Sequence, residues 1–396
     1  MSVVEAINLE TFEWHMPTKI LFGWGERARL AQEAARLGMK KAFVVTDDHI
    51  VKDELFKASL SALEQAGPKP TVWDGVRADP TDTMIREATA AYRRAGCDGV
   101  IGYGGGSSMD TAKGVAVLTH GKEDCIRPYL PPESKPIAGR VPLIAVTTTS
   151  GTGSEVARGA AITDTRTGVV KSGLFSIFIN PDVAIVDPEL TVSCPPLLTA
   201  SVGLDAFAHA LEGYTSRNSS AITDAVNFYA VELVANHLPN AVYHGHDRTS
   251  RIKMAQASLC TGLGFPGRLW YGHDISGALY TLHHTQHGFT IWVVLPALLE
   301  LNLPALQEKL LNVAPLFGVD PNGGSPREVG LATIREVAEF VKGVGAPTLA
   351  ELTGCGEEMI DEWVKVTIAK PGRFGAPMQL TEKTARWVFE RSLHGY

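Results

Sequence analysis

The sequence has few cysteines, no run of positive charge and no apolar run long enough to cross a bilayer. Its five cysteines are scattered and form no Cys-x-x-Cys pair, which argues against a disulfide framework and against a cysteine zinc site. The formal net charge of -7 disfavours a general binder of nucleic acid or anionic membranes, because both need a basic surface. The longest apolar stretch, around residues 291–299, contains Pro296 and is too short for a transmembrane helix. We therefore expect no nucleic-acid partner and no membrane association.

The start of the chain does not read as a secretion signal. The first ten residues carry two glutamates and no positively charged residue, unlike a secretory signal peptide. Together with the unpaired cysteines, this predicts a cytoplasmic protein with reduced thiols. The chain has 396 residues, which is long enough for two domains with sizeable cores. Its composition, 45% hydrophobic and 20% charged, is ordinary for a globular protein.

Strand-like and helix-like segments alternate in the first half of the chain. Segments 12–17 and 19–23 resemble two extended strands around a turn. Further on, runs at 42–46, 70–73, 99–103 and 142–146 are typical of strands, with helical spacing at 50–66 and 81–95. Such alternation predicts a parallel sheet with helices on its faces. Beyond about residue 190, amphipathic helical stretches take over. We predict an α/β domain over residues 1–190 and an all-helical domain over residues 191–396.

A glycine-rich turn follows the run at 99–103, with the sequence Gly104-Gly105-Gly106-Ser107-Ser108-Met109-Asp110-Thr111-Ala112-Lys113. Glycines permit a tight turn and let a phosphate approach the backbone closely. A helix opened by this turn offers free N–H groups and the positive end of its dipole to an anion. A purely structural turn is the alternative. The turn follows a later strand, so it differs from the ordinary Rossmann fingerprint, which follows the first.

Two other strand ends carry groups suited to a nucleotide. Asp47 ends the run at 42–46, where its carboxylate can accept hydrogen bonds from an adenosine ribose and would repel a 2′-phosphate. This favours NAD over NADP, with a helix N-cap as the competing role for Asp47. The run at 142–146 leads into a hydroxyl-rich segment that includes Thr148, Thr149 and Thr152. These hydroxyls can bind phosphate and ribose oxygens, or cap the next helix.

A carboxylate and three imidazoles suggest a metal site in the second half of the chain. Asp205 and His209 are four residues apart in a predicted helix, so they lie on one face, one turn apart. His273 and His287 follow later. Fe(II) and Zn(II) both accept such mixed nitrogen and oxygen ligands. A surface ion pair is the alternative for the first two residues, and His283 or His284 could replace one of the later histidines.

Together these motifs resemble the iron-containing (group III) alcohol dehydrogenase family. The segment from Gly203 to Glu212 is similar to the family's Gly-x-Asp-Ala-x-x-His-Ala-hydrophobic-Glu signature, and the string that begins at Gly104 is similar to its pyrophosphate loop. The resemblance covers nearly the whole chain. It implies a dehydroquinate synthase-like architecture, Fe(II) with Zn(II) possible, NAD, a small alcohol or aldehyde substrate, and a homodimer or larger homo-oligomer.

The resemblance also assigns residues to the two sites. The metal would be bound by Asp205, His209, His273 and His287. The cofactor would be bound by residues on the segments described above and by Lys171, which lies sixteen residues before Asp187; the full set is Asp47, Gly104, Gly105, Gly106, Ser107, Ser108, Asp110, Thr148, Thr149, Thr152 and Lys171.

The chain departs from the family at one position that bears on proton transfer. Many members carry His-x-x-x-His from the third ligand, but the position four after His273 is Gly277. We therefore assign no acid–base residue; the substitutes considered are His283, His284, Asp274 and Tyr280. Arg158 and Arg268 could serve an anionic substrate.

The expected activity is metal- and NAD-dependent hydride transfer between a primary or secondary alcohol and its aldehyde or ketone. The alternatives are a lyase-type reaction on the dehydroquinate synthase scaffold, with no net change in NADH, and a non-catalytic relative that binds cofactor or metal structurally.

Overall fold

The computed structural model describes residues 11–121, 123–166, 169–265, 271–283, 285, 287–369 and 375–396, with the backbone alone at 169–172. The chain divides into two compact units. We call His15–Ser193 the N-terminal unit; the C-terminal unit is Cys194–Tyr396 together with the segment that ends at Trp14.

The N-terminal unit is built on a parallel sheet. The strands of the described chain are β1 (Lys19–Phe22), β2 (Lys41–Asp47), β3 (Lys69–Val76), β4 (Gly99–Gly104), β5 (Leu143–Thr147), β6 (Gly159–Asp164), β7 (Val169–Phe175) and β8 (Val183–Val186). Six of them form one sheet in the order β1-β8-β5-β4-β2-β3, and every pairing in it is parallel. Strands β6 and β7 form a separate antiparallel pair. The predicted α/β class with a parallel sheet is confirmed.

Helices connect these strands, as the alternating pattern predicts. They are α1 (Leu30–Arg36), α2 (Glu54–Gln65), α3 (Asp82–Ala95) and α4 (Gly106–His120). Helix α3 begins after Thr81, whose hydroxyl accepts a hydrogen bond from the Met84 N–H, and such caps satisfy one free donor of the first turn. It ends at Gly96, which adopts a left-handed conformation with φ 64°, and this geometry favours glycine. Ile85 and Tyr92 are buried on its inner face.

One predicted strand pair is wrong. Residues 11–18 contain no strand, so the expected extended pair around a turn does not form within 12–23. Strand β1 instead lies at an edge of the sheet and pairs in parallel with β8, where Lys19 is opposite Val183. A partner more than 150 residues away leaves no trace in local periodicity, which explains why the sequence pattern pointed to a neighbouring segment.

The described part of the C-terminal unit contains helices and no strand. Its α-helices are α5 (Pro196–Thr215), α6 (Ala221–Tyr243), α7 (Arg248–Gly264), α8 (Tyr271–His283), α9 (His287–Trp292), α10 (Leu295–Val313), α11 (Pro326–Gly343), α12 (Leu349–Thr353), α13 (Ile360–Ile368) and α14 (Glu382–Ser392). Helix α5 is buried along most of its length and packs against α6, α7 and α9. None of the helices in the described ranges combines the length and hydropathy that a bilayer span requires.

Candidate metal centre and cofactor loop

Helix α5 places three ionisable side chains in the interior of the C-terminal unit. Asp205, His209 and Glu212 are 4%, 7% and 0% exposed, respectively. Their spacing of four and three residues puts them on one side of the helix. Ionised groups are expensive to bury without partners, so these side chains must be compensated by other polar groups or by an ion.

Two glycines let the neighbouring helices approach α5 closely. A Cβ atom on Gly272 would overlap the Glu212 carboxylate, and one on Gly288 would overlap the backbone of Ser201. Each glycine is next to a histidine in the chain, His273 in one case and His287 in the other. The close approach of α8 and α9 therefore delivers both imidazoles to the buried face of α5.

An indole group fixes α9 in this position. The Trp292 Nε1–H donates to the carbonyl oxygen of Leu204, over 2.6 Å. The Trp292 ring is also stacked on Phe207, with 4.5 Å between the ring centroids. Because Leu204 precedes Asp205 in the chain, this anchor holds the His287 end of α9 in register with the Asp205 carboxylate.

Three of the four predicted metal ligands meet in one cluster. Asp205 Oδ1 is 3.8 Å from His273 Nε2 and 3.8 Å from His287 Nε2. Among the described residues, Asp205, His273 and His287 form a group whose ligand atoms all lie within 4.8 Å of one another. Tetrahedral ligands about 2.1 Å from a metal would be about 3.4 Å apart. The observed separations are close to that value.

The hydrogen bonding of this cluster is suited to a cation. Asp205 Oδ1 and His273 Nε2 are buried and have no hydrogen-bond partner in the described chain. His273 Nδ1 lies 2.7 Å from Glu212 Oε2, so the neutral imidazole carries its proton on Nδ1 and its lone pair on Nε2. In this neutral form Asp205 Oδ1 and His273 Nε2 are two buried acceptors that face each other, and either a proton on Nε2 or a metal ion would satisfy both.

His209 lies beside this group. Its Nδ1 is 2.8 Å from the carbonyl oxygen of Asp205 and 3.3 Å from Asp205 Oδ1. Its ring centroid is 4.3 Å from that of His273. Burial lowers the pKa of His209 in spite of the charge of Asp205, which favours the neutral imidazole that binds metals.

The negative charge of the cluster is strong enough to act on its histidines. Burial opposes protonation of His273, but the charges of Glu212 and Asp205 outweigh it and raise the pKa of His273 to about 9. Burial likewise opposes ionisation of Asp205, yet the neighbouring imidazoles, His209 foremost, hold the pKa of Asp205 well below its usual range. A site that attracts protons this strongly also attracts a divalent cation.

Two residues that were not among the predicted site residues, Glu212 and Ser276, orient these imidazoles. Glu212 receives the Nδ1 side of His273, and the Ser276 hydroxyl is 2.9 Å from His287 Nδ1. Partners on the second ring nitrogen fix the tautomer and orientation of a ligating histidine. Glu212 was visible as the last residue of the quoted signature, but Ser276 carries no motif.

The structure separates His283 from the cluster. Its Nε2 accepts a hydrogen bond from Trp363 Nε1, over 2.8 Å, so this nitrogen is already used. His284 and Arg268 lie outside the described residues. Gly277, Asp274 and Tyr280 lie on α8, and Arg158 is half-buried in the N-terminal unit. The contacts of these residues assign no proton donor or acceptor.

The N-terminal unit brings the predicted cofactor segments together at one edge of its sheet. In the strand order, β4 lies between β2 and β5. Parallel strands end at the same edge, so Asp47 at the end of β2, the glycine turn after β4 and the threonines after β5 become neighbours. The backbone joins two of them directly, because the Thr148 N–H donates to the Gly104 carbonyl over 3.0 Å.

Side chains lie close against each glycine of the turn. Gly104 has φ +150°, and a Cβ there would overlap Ser108 and lie 3.7 Å from Asp47 Oδ2. A Cβ on Gly105 would be 3.3 Å from the Thr149 hydroxyl, and one on Gly106 would be 2.9 Å from the Thr152 methyl group. The turn therefore has no room for larger residues.

The helix that follows leaves its N-terminus available to an anion. Helix α4 has no side-chain cap and no acidic residue in its first turn, and its residue Ser107 is half-buried. The N–H groups of a first turn have no partner within the helix. Uncapped N–H groups at the positive end of a helix dipole suit a phosphate.

Two predicted cofactor residues, Asp47 and Asp110, use carboxylate oxygens in hydrogen bonds within the protein. Asp47 Oδ1 accepts hydrogen bonds from the N–H groups of His49 and Ile50 in the turn after β2, while its Oδ2 faces Gly104. The N-cap of α2 is Asp53 and not Asp47. Both oxygens of Asp110 are used within the protein, by the Ser154 hydroxyl and the Ala161 N–H. The side chain of Lys171, on β7, lies outside the described part of the chain.

The buried carboxylate of Glu155, close in the chain to the predicted cofactor residues, is expected to destabilise the folded state. Its side chain is 1% exposed, and burial raises its pKa from 4.5 to about 7, although its own N–H and the charge of Lys113 act in the opposite direction. The folded state therefore holds a proton that the unfolded chain releases above pH 4.5, and this penalty is complete above about pH 7. We expect Glu155→Gln to increase the free energy of unfolding at pH 8 by up to about 3 kcal/mol.

Urea unfolding at pH 8 and near pH 4.5 measures this effect, and the gain should vanish at the lower pH. The exposed Glu64→Gln serves as the matched control and should change stability at neither pH. A Glu155→Gln variant less stable than wild type at pH 8 would contradict the assignment of a burial penalty to this carboxylate.

Comparison with known proteins gives a consistent result along the chain. Residues 17–188 match the family model described as iron-containing alcohol dehydrogenase. Residues 199–393 match the model for the C-terminal part of the Fe-containing alcohol dehydrogenase family.

Individual relatives are similar over nearly their full length. The chain is 34% identical to the choline dehydrogenase of Bacillus subtilis, over 99% of this chain and 97% of that protein. It is 33% identical to the NAD-dependent methanol dehydrogenase of Bacillus methanolicus, over 87% and 90% of the two chains. A crystal structure of 1,3-propanediol oxidoreductase matches with a TM-score of 0.91 and 32% identity, covering 96% of this chain and 100% of that one.

These relatives are dehydrogenases and oxidoreductases of alcohols, so they lend no support to the lyase-type or non-catalytic alternatives. The chain therefore belongs to the iron-containing alcohol dehydrogenase family, as an enzyme that interconverts alcohols and their carbonyl products.

Proposed function

We propose that this enzyme is NAD-dependent and uses a divalent metal, Fe(II) in preference to Zn(II), to interconvert a small alcohol and its aldehyde or ketone. Asp205, His209, His273 and His287 would hold the metal. The observation that carries the proposal is the cluster of Asp205, His273 and His287, in which the buried atoms Asp205 Oδ1 and His273 Nε2 have no hydrogen-bond partner among the described residues. Such a donor set accepts both metals.

A bound divalent cation supplies Lewis acidity toward the alcohol oxygen, and NAD accepts the hydride. The balanced reaction converts alcohol and NAD⁺ into the carbonyl compound, NADH and one proton. The chain's contribution is positional. Glu212 accepts the Nδ1 proton of His273, and Ser276 orients the ring of His287 through Nδ1. The burial of Asp205 keeps water from competing with its carboxylate for the metal. We assign no residue to proton transfer.

For the cofactor, we propose that the turn Gly104–Gly106 and the first turn of α4, with Ser107 and Ser108, bind the pyrophosphate. Thr149 and Thr152 would face it, and Thr148 and Asp110 would support the turn. The close contacts at the three glycines and the uncapped helix support this assignment. The name of the Bacillus methanolicus relative supports NAD as the cofactor.

The choice of NAD over NADP rests on Asp47, whose free Oδ2 would accept from the adenosine ribose and repel a 2′-phosphate. We expect Asp47→Ala to raise the ratio of kcat/KM with NADPH to that with NADH by about tenfold, which is about 1.4 kcal/mol. Steady-state rates with both cofactors measure the ratio. Asp48→Ala, at an exposed neighbouring carboxylate, should leave it unchanged. An unaltered preference in Asp47→Ala would remove Asp47 from the cofactor site.

The central experiment is purification without chelator, followed by elemental analysis and an assay of NADH absorbance with a panel of aldehydes. Metal near one per chain together with steady NADH loss supports the proposal and begins to name the substrate. Metal retained at that level in His287→Ala would overturn the ligand assignment. A chain that takes up no metal on reconstitution would overturn the metal-dependent reaction.

We further propose a cytoplasmic homodimer or larger homo-oligomer. The compartment is supported by the absence of disulfides among the five cysteines. The oligomer is supported by the resemblance to the family, and light scattering of the purified protein tests it.

A further inference from the structure

Lys113 is a buried cation that the proposed chemistry does not use. It lies on α4, two turns after the glycine turn, and is 1% exposed. Its Nζ donates to three neutral acceptors, the Ser154 hydroxyl at 2.9 Å, the Ala157 carbonyl at 3.0 Å and the Gly159 carbonyl at 2.6 Å. Ser154 and Ala157 belong to the segment that connects the threonines after β5 to strand β6, and Gly159 is the first residue of β6.

A second side chain of α4 holds the same segment. Asp110, one turn before Lys113, accepts from the Ser154 hydroxyl over 2.8 Å and from the Ala161 N–H over 2.8 Å. The Ser154 hydroxyl thus accepts from Lys113 and donates to Asp110, so it bridges the two charges. Segment 154–161 is fastened to α4 by five hydrogen bonds from two side chains.

The fastened segment reaches the proposed pyrophosphate site through Thr152. The Ser154 N–H donates to the Thr152 hydroxyl over 3.1 Å. The Thr152 side chain in turn lies against Gly106, at the first turn of α4. The position of Ser154 therefore sets the direction of Thr152.

Burying a lysine is unfavourable, and this one gains no direct ion pair in return. Burial lowers the pKa of Lys113 to about 8, although the charges of Asp110 and Glu155 partly offset the effect. A methionine of similar length would fill the same volume without this cost. The three well-directed hydrogen bonds are what the lysine adds.

We propose that Lys113 is a positioning residue for the cofactor, which sets Thr152 against the phosphate-binding turn through the Lys113–Ser154–Asp110 bridge. This inference rests on the NAD site proposed above. Lys113 itself does not touch the cofactor. Its removal should therefore weaken cofactor binding while the rate at saturating cofactor is largely kept.

The test compares three variants of the full-length, metal-loaded enzyme by NADH fluorescence titration and steady-state kinetics. We expect Lys113→Met to raise the Kd for NADH about tenfold and Ser154→Ala about threefold, in line with the loss of charged and neutral hydrogen bonds. The kcat at saturating cofactor should stay within about threefold of wild type, because the reacting groups are untouched. The double variant should bind no more weakly than Lys113→Met, since both changes break one bridge.

Leu118→Ala is the control for general destabilisation, because Leu118 is fully buried on the same helix. It should lower the melting temperature and leave the Kd for NADH unchanged. An unchanged Kd in Lys113→Met, or in Ser154→Ala if Lys113→Met does not fold, would overturn the inference. So would a Kd in Leu118→Ala raised as much as in Ser154→Ala. A wild-type enzyme that binds no NADH would instead overturn the proposed cofactor, and the inference with it.

Discussion

Asp205→Ala is expected to reduce the bound metal from about one per chain to less than about a tenth, and to lower kcat/KM for alcohol oxidation by about a thousandfold or more. Asp205 supplies the single carboxylate in the cluster of described residues, and its Oδ1 lies within 3.8 Å of both His273 and His287. Without that charge, three neighbouring imidazoles remain in a buried site, and they bind a dication far less strongly.

Elemental analysis after dialysis measures the metal, and NADH absorbance measures the rate. Asp224→Ala is a suitable control, since Asp224 pairs with Lys309 in the same unit and belongs to neither proposed site. It should keep both the metal and the rate. Metal retained near one per chain in Asp205→Ala would contradict the assignment of this cluster as the metal centre.

Glu212→Gln is expected to weaken metal affinity about 10–100-fold, the range found when the partner of a ligating histidine is removed. Glutamine keeps the size of the side chain and can still accept from His273 Nδ1, but it removes the buried negative charge that faces the imidazole. Competition with a chromophoric chelator measures the affinity. Activity should recover when excess metal is added, because the ligands themselves are intact.

Ser276→Ala gives the matched comparison. It removes a neutral hydrogen bond to the other imidazole, His287 Nδ1, and should weaken metal affinity by less than about tenfold. Comparing the metal affinities of the two variants separates the effect of losing a buried charge, in Glu212→Gln, from the effect of losing a neutral hydrogen bond, in Ser276→Ala. Equal affinities of Glu212→Gln and wild type, or a larger effect in Ser276→Ala, would refute the orienting role of Glu212.

Local patterns in the sequence predicted much of the fold. The helix expected to carry Asp205 and His209 is observed as Pro196–Thr215, and the strands and helices around the glycine turn lie within a few residues of their predicted bounds. Hydrophobic periodicity records which face of an element is buried. It does not record which element covers that face, so the pairing of β1 with β8 was missed.

The same limit applies to the metal centre. The spacing of Asp205 and His209 within one helix predicted their shared face, whereas their meeting with His273 and His287 depended on the family resemblance. The contact between Glu212 and His273 spans 61 residues, and no local pattern encodes it. Whether these side chains hold a metal stays a prediction.

At the cofactor segments, the structure gives Asp47 a role that the sequence did not predict. Asp47 was expected either to be a helix N-cap or to face a ribose. One of its oxygens accepts from two N–H groups of the turn after β2, and the other faces Gly104. Lys113 was visible in the glycine-turn motif, yet nothing local showed that its three acceptors lie more than forty residues away.

The metal centre is sensitive to substitution at two glycines as well as at its polar residues, because these glycines allow α8 and α9 to pack closely against α5. Gly272 and Gly288 each lie in the first turn of a helix, and glycine loses more conformational freedom on folding than alanine does. Alanine at either position would be the better helix former and yet would push a histidine away from Asp205. We therefore expect substitutions of Gly272 and Gly288 to impair the metal centre, although neither residue has a side chain. Their role is to leave room for the close contact of α8 and α9 with α5.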